Sequence, residues 1–289
     1  MRLWIELVVS GLITGGIYAL VAMGLNLQYG LMRILNVSHG EFLMLGAYLT
    51  YWAYLVMHLS PFVFLPPLLV GLFVVGLVVH RLCFRRLAET TPEVEAFEAR
   101  SLLVGFGLMF VVQNVALLVW GADLRGYQYL AGTVSIAGVG FTANRLVAFA
   151  AALVLGLGLI AVLRATLLGR AVRAMMQSPT GALLVGIDVR RLHPAVFGVG
   201  LALAGAAGAL LSMVFEISPS MGEPYTVTAL IVIALGGFGS VTGSLLGGLL
   251  LGVVEAIGMH LTSPSLKMVL SYGVFMLVLI TRPNGLFVR

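Results

Sequence analysis

Apolar runs separated by short polar connections recur along the whole chain, at roughly 7–29, 34–58, 62–80, 101–120, 145–164, 194–214, 225–237, 243–260 and 265–281. Most hold close to twenty residues, enough at 1.5 Å per residue to cross a ~30 Å hydrocarbon core as a helix. The pattern predicts an all-α polytopic bundle of about eight to nine membrane segments. The alternation and aromatic girdles of a transmembrane barrel are absent from it. The run 225–237 is short for a full crossing and reads as half of a broken helix, with Gly236-Gly237-Phe238-Gly239-Ser240 as the break. Such breaks survive in membranes only where protein buries them or they line a cavity.

Two connections are rich in cations. Residues 81–100 carry Arg81, Arg85, Arg86 and Arg100, and residues 164–193 carry Arg164, Arg170, Arg173, Arg190 and Arg191. Lys and Arg accumulate on cytoplasmic loops, so both connections face the cytoplasm, as do Arg282 and Arg289. The Gly-rich stretch 121–144 between them is external. Counting back from these loops places the N-terminus outside and gives about nine crossings.

Composition agrees with the pattern. The chain is 61% hydrophobic and 9% charged, against roughly a quarter charged residues in soluble domains. Its net charge of +5 follows from the loop cations, and no nucleic-acid partner is expected. One transmembrane domain spans 1–289. The single cysteine, Cys83, forms no internal disulfide. No P-loop sequence occurs and no cofactor is expected, so the chain is read as non-catalytic. Glycines at helical spacing, such as Gly243, Gly247, Gly248 and Gly252, suit close helix packing in lipid. No internal repeat is obvious by eye.

The connection at about 165–193 holds a helix of its own. Ser178 is a good N-cap and Pro179 suits the first helical position. Ala182, Leu183, Leu184 and Val185 extend the helix, and Gly186 is placed to end it before Ile187. About two turns are too short to be stable alone in water, so the helix must dock. Arg170 and Arg173 lie three apart and share a face. They set topology, bind anionic lipid headgroups, or contact a cytosolic protein; topology alone explains the charge and not the capped helix.

Four blocks, in order and covering about residues 10 to 287, carry a family resemblance. The first runs from Gly24-Leu25-Asn26-Leu27 through Tyr29-Gly30-Leu31-Met32-Arg33-Ile34-Leu35-Asn36. The second is Val37-Ser38-His39-Gly40-Glu41-Phe42 onward to Tyr48. The third is the insert, Gly169-Arg170-Ala171-Val172-Arg173-Ala174 with Ser178-Pro179-Thr180-Gly181. The fourth is Leu235-Gly236-Gly237-Phe238-Gly239-Ser240, followed by Gly247-Gly248 and Leu251-Gly252-Val253-Val254-Glu255. Together they resemble the permeases of ABC importers for branched-chain amino acids, the LivH-type family.

The resemblance implies a multi-pass subunit of a bacterial or archaeal cell membrane. It implies a second related permease, two cytosolic ABC ATPases and an extracytoplasmic binding protein as partners, with membrane lipid around them. It also implies that Arg170, Ala171, Arg173, Ser178, Pro179, Leu183, Gly186 and Ile187 form the coupling element in an ATPase groove. The family commonly has acidic or amide residues after the second Arg-Ala pair. Here Gln177-Ser178-Pro179-Thr180 stands instead, which keeps the cap and leaves no acid there for an ion pair.

Asn36, His39 and Glu41 lie between the first two spans, with Gly40 allowing a local break. Ionisable groups at membrane depth usually face a cavity, a pore or one another. Asn36, His39, Gly40 and Glu41, with Gly236, Gly237 and Gly239, therefore line the path or gate, or else fix helix ends at the inner surface. One His and one Glu do not make a metal site. Glu216, Glu223 and Tyr225, flanked by Pro219 and Pro224, lie at the outer end, where they receive the substrate-binding protein or form a solvated outer loop. Glu255, Gln113 and Asn114 are candidates for buried hydrogen bonds. Competing functions are an ion-coupled secondary transporter, which needs paired intramembrane acids, an intramembrane enzyme built on His39 and Glu41, or the same ABC role for amides, urea or another small solute.

Overall fold

The computed structural model describes residues 2–91, 93–136 and 138–287; Arg289 lies outside them. Twelve α-helices follow in order. They are α1 (Arg2–Met32), α2 (His39–Val56), α3 (Pro61–Val79), α4 (Arg85–Thr90), α5 (Val94–Trp120), α6 (Ala143–Ala165), α7 (Leu167–Gln177), α8 (Pro179–Leu184), α9 (Val189–Ser212), α10 (Gly222–Gly236), α11 (Val241–Leu261) and α12 (Lys267–Thr281). A π-turn, His80–Phe84, joins α3 to α4, and a 3-10 turn, Pro264–Leu266, precedes α12.

Seven helical stretches are long and apolar enough to cross a membrane. All of α1, α5, α6, α9 and α11 qualify, with Pro61–Thr90 and Pro264–Thr281. The remaining α2 and α10, of 18 and 15 residues, are the short ones. Buried small residues on α1, among them Gly11 and Gly15, abut Gly252 and Gly248 of α11, so these helices run antiparallel with backbones close together. Behind them α9 packs on α1, α2 and α3, and forms the most buried helix of the bundle.

The path of the chain gives α2 and α10 their lengths. Helix α1 ends at Met32, and residues 33–38 turn back into the bundle without helical structure. Helix α2 then starts at His39, whose Nε2 lies 3.1 Å from the Val21 carbonyl oxygen. Val21 stands eleven residues before the end of α1, roughly 16 Å at 1.5 Å per residue. That is about half of a ~30 Å core, so α2 begins near mid-depth and runs outward. After α9, residues 213–221 fold inward in the same way. Gly222, opening α10, meets Gly40, and α10 runs to the end of the bundle that holds α7, where Gly239 meets Met176. Two half-crossings of opposite direction thus meet N-terminus to N-terminus. With the seven long stretches they make nine passes among the described residues, which leaves the first and last helices starting and ending at opposite ends of the bundle.

Three expectations change. The run 34–58 is not helical before His39. The break that shortens α10 lies before it, at 213–221, whereas Gly237–Ser240 is a tight turn into α11. Finally, 121–142 includes a hairpin, β1 (Thr133–Ile136) pairing antiparallel with β2 (Val139–Thr142), so the fold is all-α apart from this external ribbon.

Candidate functional site

Backbone donors that open a helix inside a membrane have no water to satisfy them, so protein groups must. At the start of α2 the Asn36 and Ser38 carbonyls accept from His39 and Glu41 N–H. Thr226 of α10 supplies the rest: its Oγ1 accepts from Gly40 N at 2.8 Å and donates to the Val37 carbonyl at 3.1 Å. Asn36 donates to Gln28 Oε1, and Gln28 donates to the Phe197 carbonyl of α9 at 3.0 Å. Ser38 donates to Asn36 Oδ1 at 2.6 Å. This chain of bonds ties three helices to a non-helical segment and explains why so polar a stretch is buried. Gly40 and Gly222 are required by contact: a Cβ on Gly40 would overlap the Gly222 carbonyl oxygen and Thr226 Oγ1.

Glu41 stands apart. It is fully buried, and neither carboxylate oxygen has a hydrogen-bond partner among the described residues. Its carboxyl carbon faces Gly222, at the N-terminus of α10, where the helix dipole favours negative charge. Glu223 is next along. Instead of lying in an outer loop, it occupies the first turn of α10, and Tyr225, within the same helix, packs 6.2 Å from Tyr18. Of the loop predicted there, Glu216 stays exposed beside Ile217, which pairs with Arg125.

The glycines of the turn lie elsewhere, at the cytoplasmic end. Asn26 Nδ2 donates to the Gly237 and Ser240 carbonyls and to Ser244 Oγ, while its Oδ1 accepts from Gly239 N at 2.6 Å. Gly236, Gly237 and Gly239 are therefore not gathered with His39 and Glu41. Gly236 packs on Gly243 and Gly237 lies against Gly285, while Gly239 alone of the three reaches the insert. Gly239 faces Met176 of α7, which also touches Gly30 at the end of α1. A cavity of about 470 Å³ opens there between α6, α7 and the turn, lined by Arg164, Arg173, Met176, Phe238 and Ser240 among others.

The insert is two helices. Thr166 caps α7, its hydroxyl accepting from Gly169 N at 3.0 Å. Gly169, Val172 and Met175 bury one face of α7, and Arg170 and Arg173 are exposed on it. Ser178 caps α8 through Gly181 N at 3.2 Å, with Pro179 in its first turn. Gly186, at φ +83°, closes α8: its N–H bonds the Leu183 carbonyl and Ile187 N–H bonds the Ala182 carbonyl. That paired ending is the Schellman motif. Ala171 is half-buried, Ala182 is buried and Ile187 half-buried, which anchors the pair to the bundle. Beyond them Leu183, Leu184 and Val185 are 56%, 84% and 77% exposed. They form an exposed apolar tip.

A family model described as branched-chain amino acid transport system, permease component, matches residues 7–279. The chain belongs to that family. It is a membrane-embedded, multi-pass permease component of a transport system and not the catalytic part of one. It is 29% identical to the high-affinity branched-chain amino acid transport system permease protein BraD of Pseudomonas aeruginosa, over 99% of this chain and 96% of that one. It is 28% identical to the LivH permease protein of Escherichia coli, over 97% and 94%. A probable branched-chain amino acid permease, LivH of Methanocaldococcus jannaschii, is 27% identical over 86% and 79%. No solved structure matches the chain.

Two features of this permease escaped the sequence reading. Asn26, Gln28 and Thr226 carry the internal hydrogen bonds, and their only signal was an amide or hydroxyl inside an apolar run. Tyr18, Glu255, Ser271 and Lys267 converge from α1, α11 and α12, a meeting that spacing does not disclose. Glu255 accepts from Tyr18 Oη at 2.8 Å and from Ser271 Oγ, and lies 3.7 Å from Lys267 Nζ. Asn114, expected to make a buried hydrogen bond, is instead exposed and donates to the carbonyl of Phe110 in its own helix. Among the described residues no group of three metal-ligating side chains forms.

Proposed function

We propose that this permease carries a branched-chain, hydrophobic amino acid across the membrane within an ATP-driven importer of the ABC type. It pairs with a second related permease, two cytosolic ATPases and an extracytoplasmic binding protein. ATP is hydrolysed by the partner subunits, and the α7–α8 insert receives their motion.

The exposed apolar tip of α8 supports the reading best. Leu183, Leu184 and Val185 protrude from a helix capped at both ends at the cytoplasmic face, and a tip of that kind fits a groove on a soluble partner. Arg170 and Arg173 have no carboxylate partner among the described residues and extend the same surface with positive charge. Helix α7 links this surface to the rest. Through Met176 it rests on Gly30 and Gly239, so displacement of the tip reaches α1 and the α10–α11 turn directly. The Asn36–Glu41 joint, where α2 meets α10, is the gate in this reading, because both half-crossings end there.

Purification with the products of neighbouring genes tests it. Two ATPases and a second permease should copurify, and proteoliposomes of the complex should take up leucine only with ATP. Leucine uptake by this chain without ATPases contradicts the proposal. Uptake of urea or a short amide in place of leucine changes the substrate and leaves the role.

A further inference from the structure

Between α10, α11 and α12 lies a cavity of about 310 Å³ that the joint and the insert do not use. Its charged lining is Glu223, Glu255 and Lys267, and its apolar lining includes Val227, Ile231 and Met268. Depth makes this notable. Glu223 is exposed in the first turn of α10, beside Gly40, where α2 starts near mid-membrane. Glu255 is six residues before the end of α11, roughly 9 Å below it at 1.5 Å per residue. Lys267, 42% exposed at its side chain, reaches down to within 3.7 Å of Glu255. Exposed charges at such depth do not face lipid; they face water or protein. The outer surfaces of α3 and α5, by contrast, expose Val70, Leu103 and Leu118, as a lipid contact should.

Glu255 is held by Tyr18 and Ser271, and the Lys267 ammonium also sits 5.4 Å from the centre of the Tyr18 ring. Lys267 is thereby aimed into the cavity. Glu223 has no hydrogen-bond or ion-pair partner among the described residues. One free acid, one positioned cation and an aliphatic wall make a complementary set for a molecule with both charges and a branched apolar end.

We propose that this cavity holds a zwitterion with an aliphatic side chain during its passage, with Lys267 taking the carboxylate, Glu223 the ammonium, and Val227, Ile231 and Met268 the side chain. The translocation path then runs along the α10–α12 face to the Asn36–Glu41 joint, which gates it. The ligand class rests on the importer reading, while the place rests on the charges alone.

Thiol labelling of the assembled complex in nanodiscs tests both, in a Cys83→Ser background. A charged, membrane-impermeant methanethiosulfonate should modify Met268→Cys roughly tenfold faster than Leu118→Cys on the lipid face. Millimolar leucine should slow the Met268→Cys reaction about fivefold, as partial occupancy requires. Isoamylamine, lacking the carboxylate, should not. Adding Lys267→Met or Glu223→Gln should remove the protection, with copurification of the ATPases reporting that each variant still assembles. Equal rates at 268 and 118, equal protection by leucine and isoamylamine, or protection surviving both charge variants would overturn the site. A complex that assembles with its ATPases yet shows no leucine protection loses the site and keeps the importer reading; a chain that never assembles with an ATPase loses that reading first.

Discussion

At the α2–α10 joint polar side chains are turned inward, whereas at the α7–α8 insert apolar side chains are turned outward. Asn36, Ser38, His39, Glu41 and Thr226 are each at most 2% exposed, yet Leu184 is 84% exposed. Each arrangement runs against the environment the chain provides. A buried polar group is costly unless bonded, and the joint answers with bonds from Gln28, Asn36 and Thr226. An exposed leucine tip on a two-turn helix gains nothing in water and becomes favourable once covered. Apart from the Glu41 carboxylate and His39 Nδ1, the joint finds its bonds within this chain among the described residues, whereas the insert leaves its apolar tip uncovered. One region holds the subunit together, and the other, in the proposed reading, meets a second protein.

Variants that attack the two regions should separate accordingly, and the largest effect belongs to the joint. Gly40→Ala places a methyl against the Gly222 carbonyl and Thr226, both on a packed helix. It should destabilise the permease by about 3 kcal/mol, the upper end for overpacking, seen as loss of monodisperse protein or a large fall in Tm in detergent. Next comes Asn26→Leu. It removes four hydrogen bonds between α1 and the α10–α11 turn and leaves buried backbone groups unpaired, at about 2 kcal/mol. Thermal melting reads this too, with uptake failing in parallel.

Changes in the insert should cost less stability. Gly186→Ala forces a Cβ into the left-handed region, about 1–2 kcal/mol locally. Because α8 is an appendage, that cost should appear as faster amide exchange over 179–187 and weaker ATPase copurification, with Tm of the bundle unchanged. Ser178→Ala should be smallest, about 1 kcal/mol for a lost N-cap, and local in the same measurement. A fall in bundle Tm for either insert variant, as large as that for Gly40→Ala, would erase the distinction between the regions.

Much of this was legible in the sequence. Nine apolar runs mark out the membrane segments, seven of which are long spanning stretches among the described residues. Ser178, Pro179 and Gly186 delimit α8 to within a residue, because capping chemistry is local. What was not legible depends on distant partners. Residues 34–38 read as part of an apolar run, since Ile34, Leu35 and Val37 look helical until Thr226 and Gln28, far along the chain, take up their neighbours' polar groups. Glu223 and Tyr225 lie between Pro219 and a short apolar run, a pattern that reads as loop. Only the opposing start of α2 shows that a half-crossing begins there. The Tyr18–Glu255–Lys267 cluster spans three helices, and its members have no common period.

The most direct measurement concerns the tip itself. Leu184→Asp with Val185→Asp puts two charges where the account requires an apolar contact with an ATPase, at positions that touch little else in the permease. The double variant should express and melt like the parent protein, yet should no longer copurify with the ATPases and should show no ATP-dependent leucine uptake in proteoliposomes. Full copurification and undiminished uptake by that variant would contradict the claim that this insert is where the permease meets its motor.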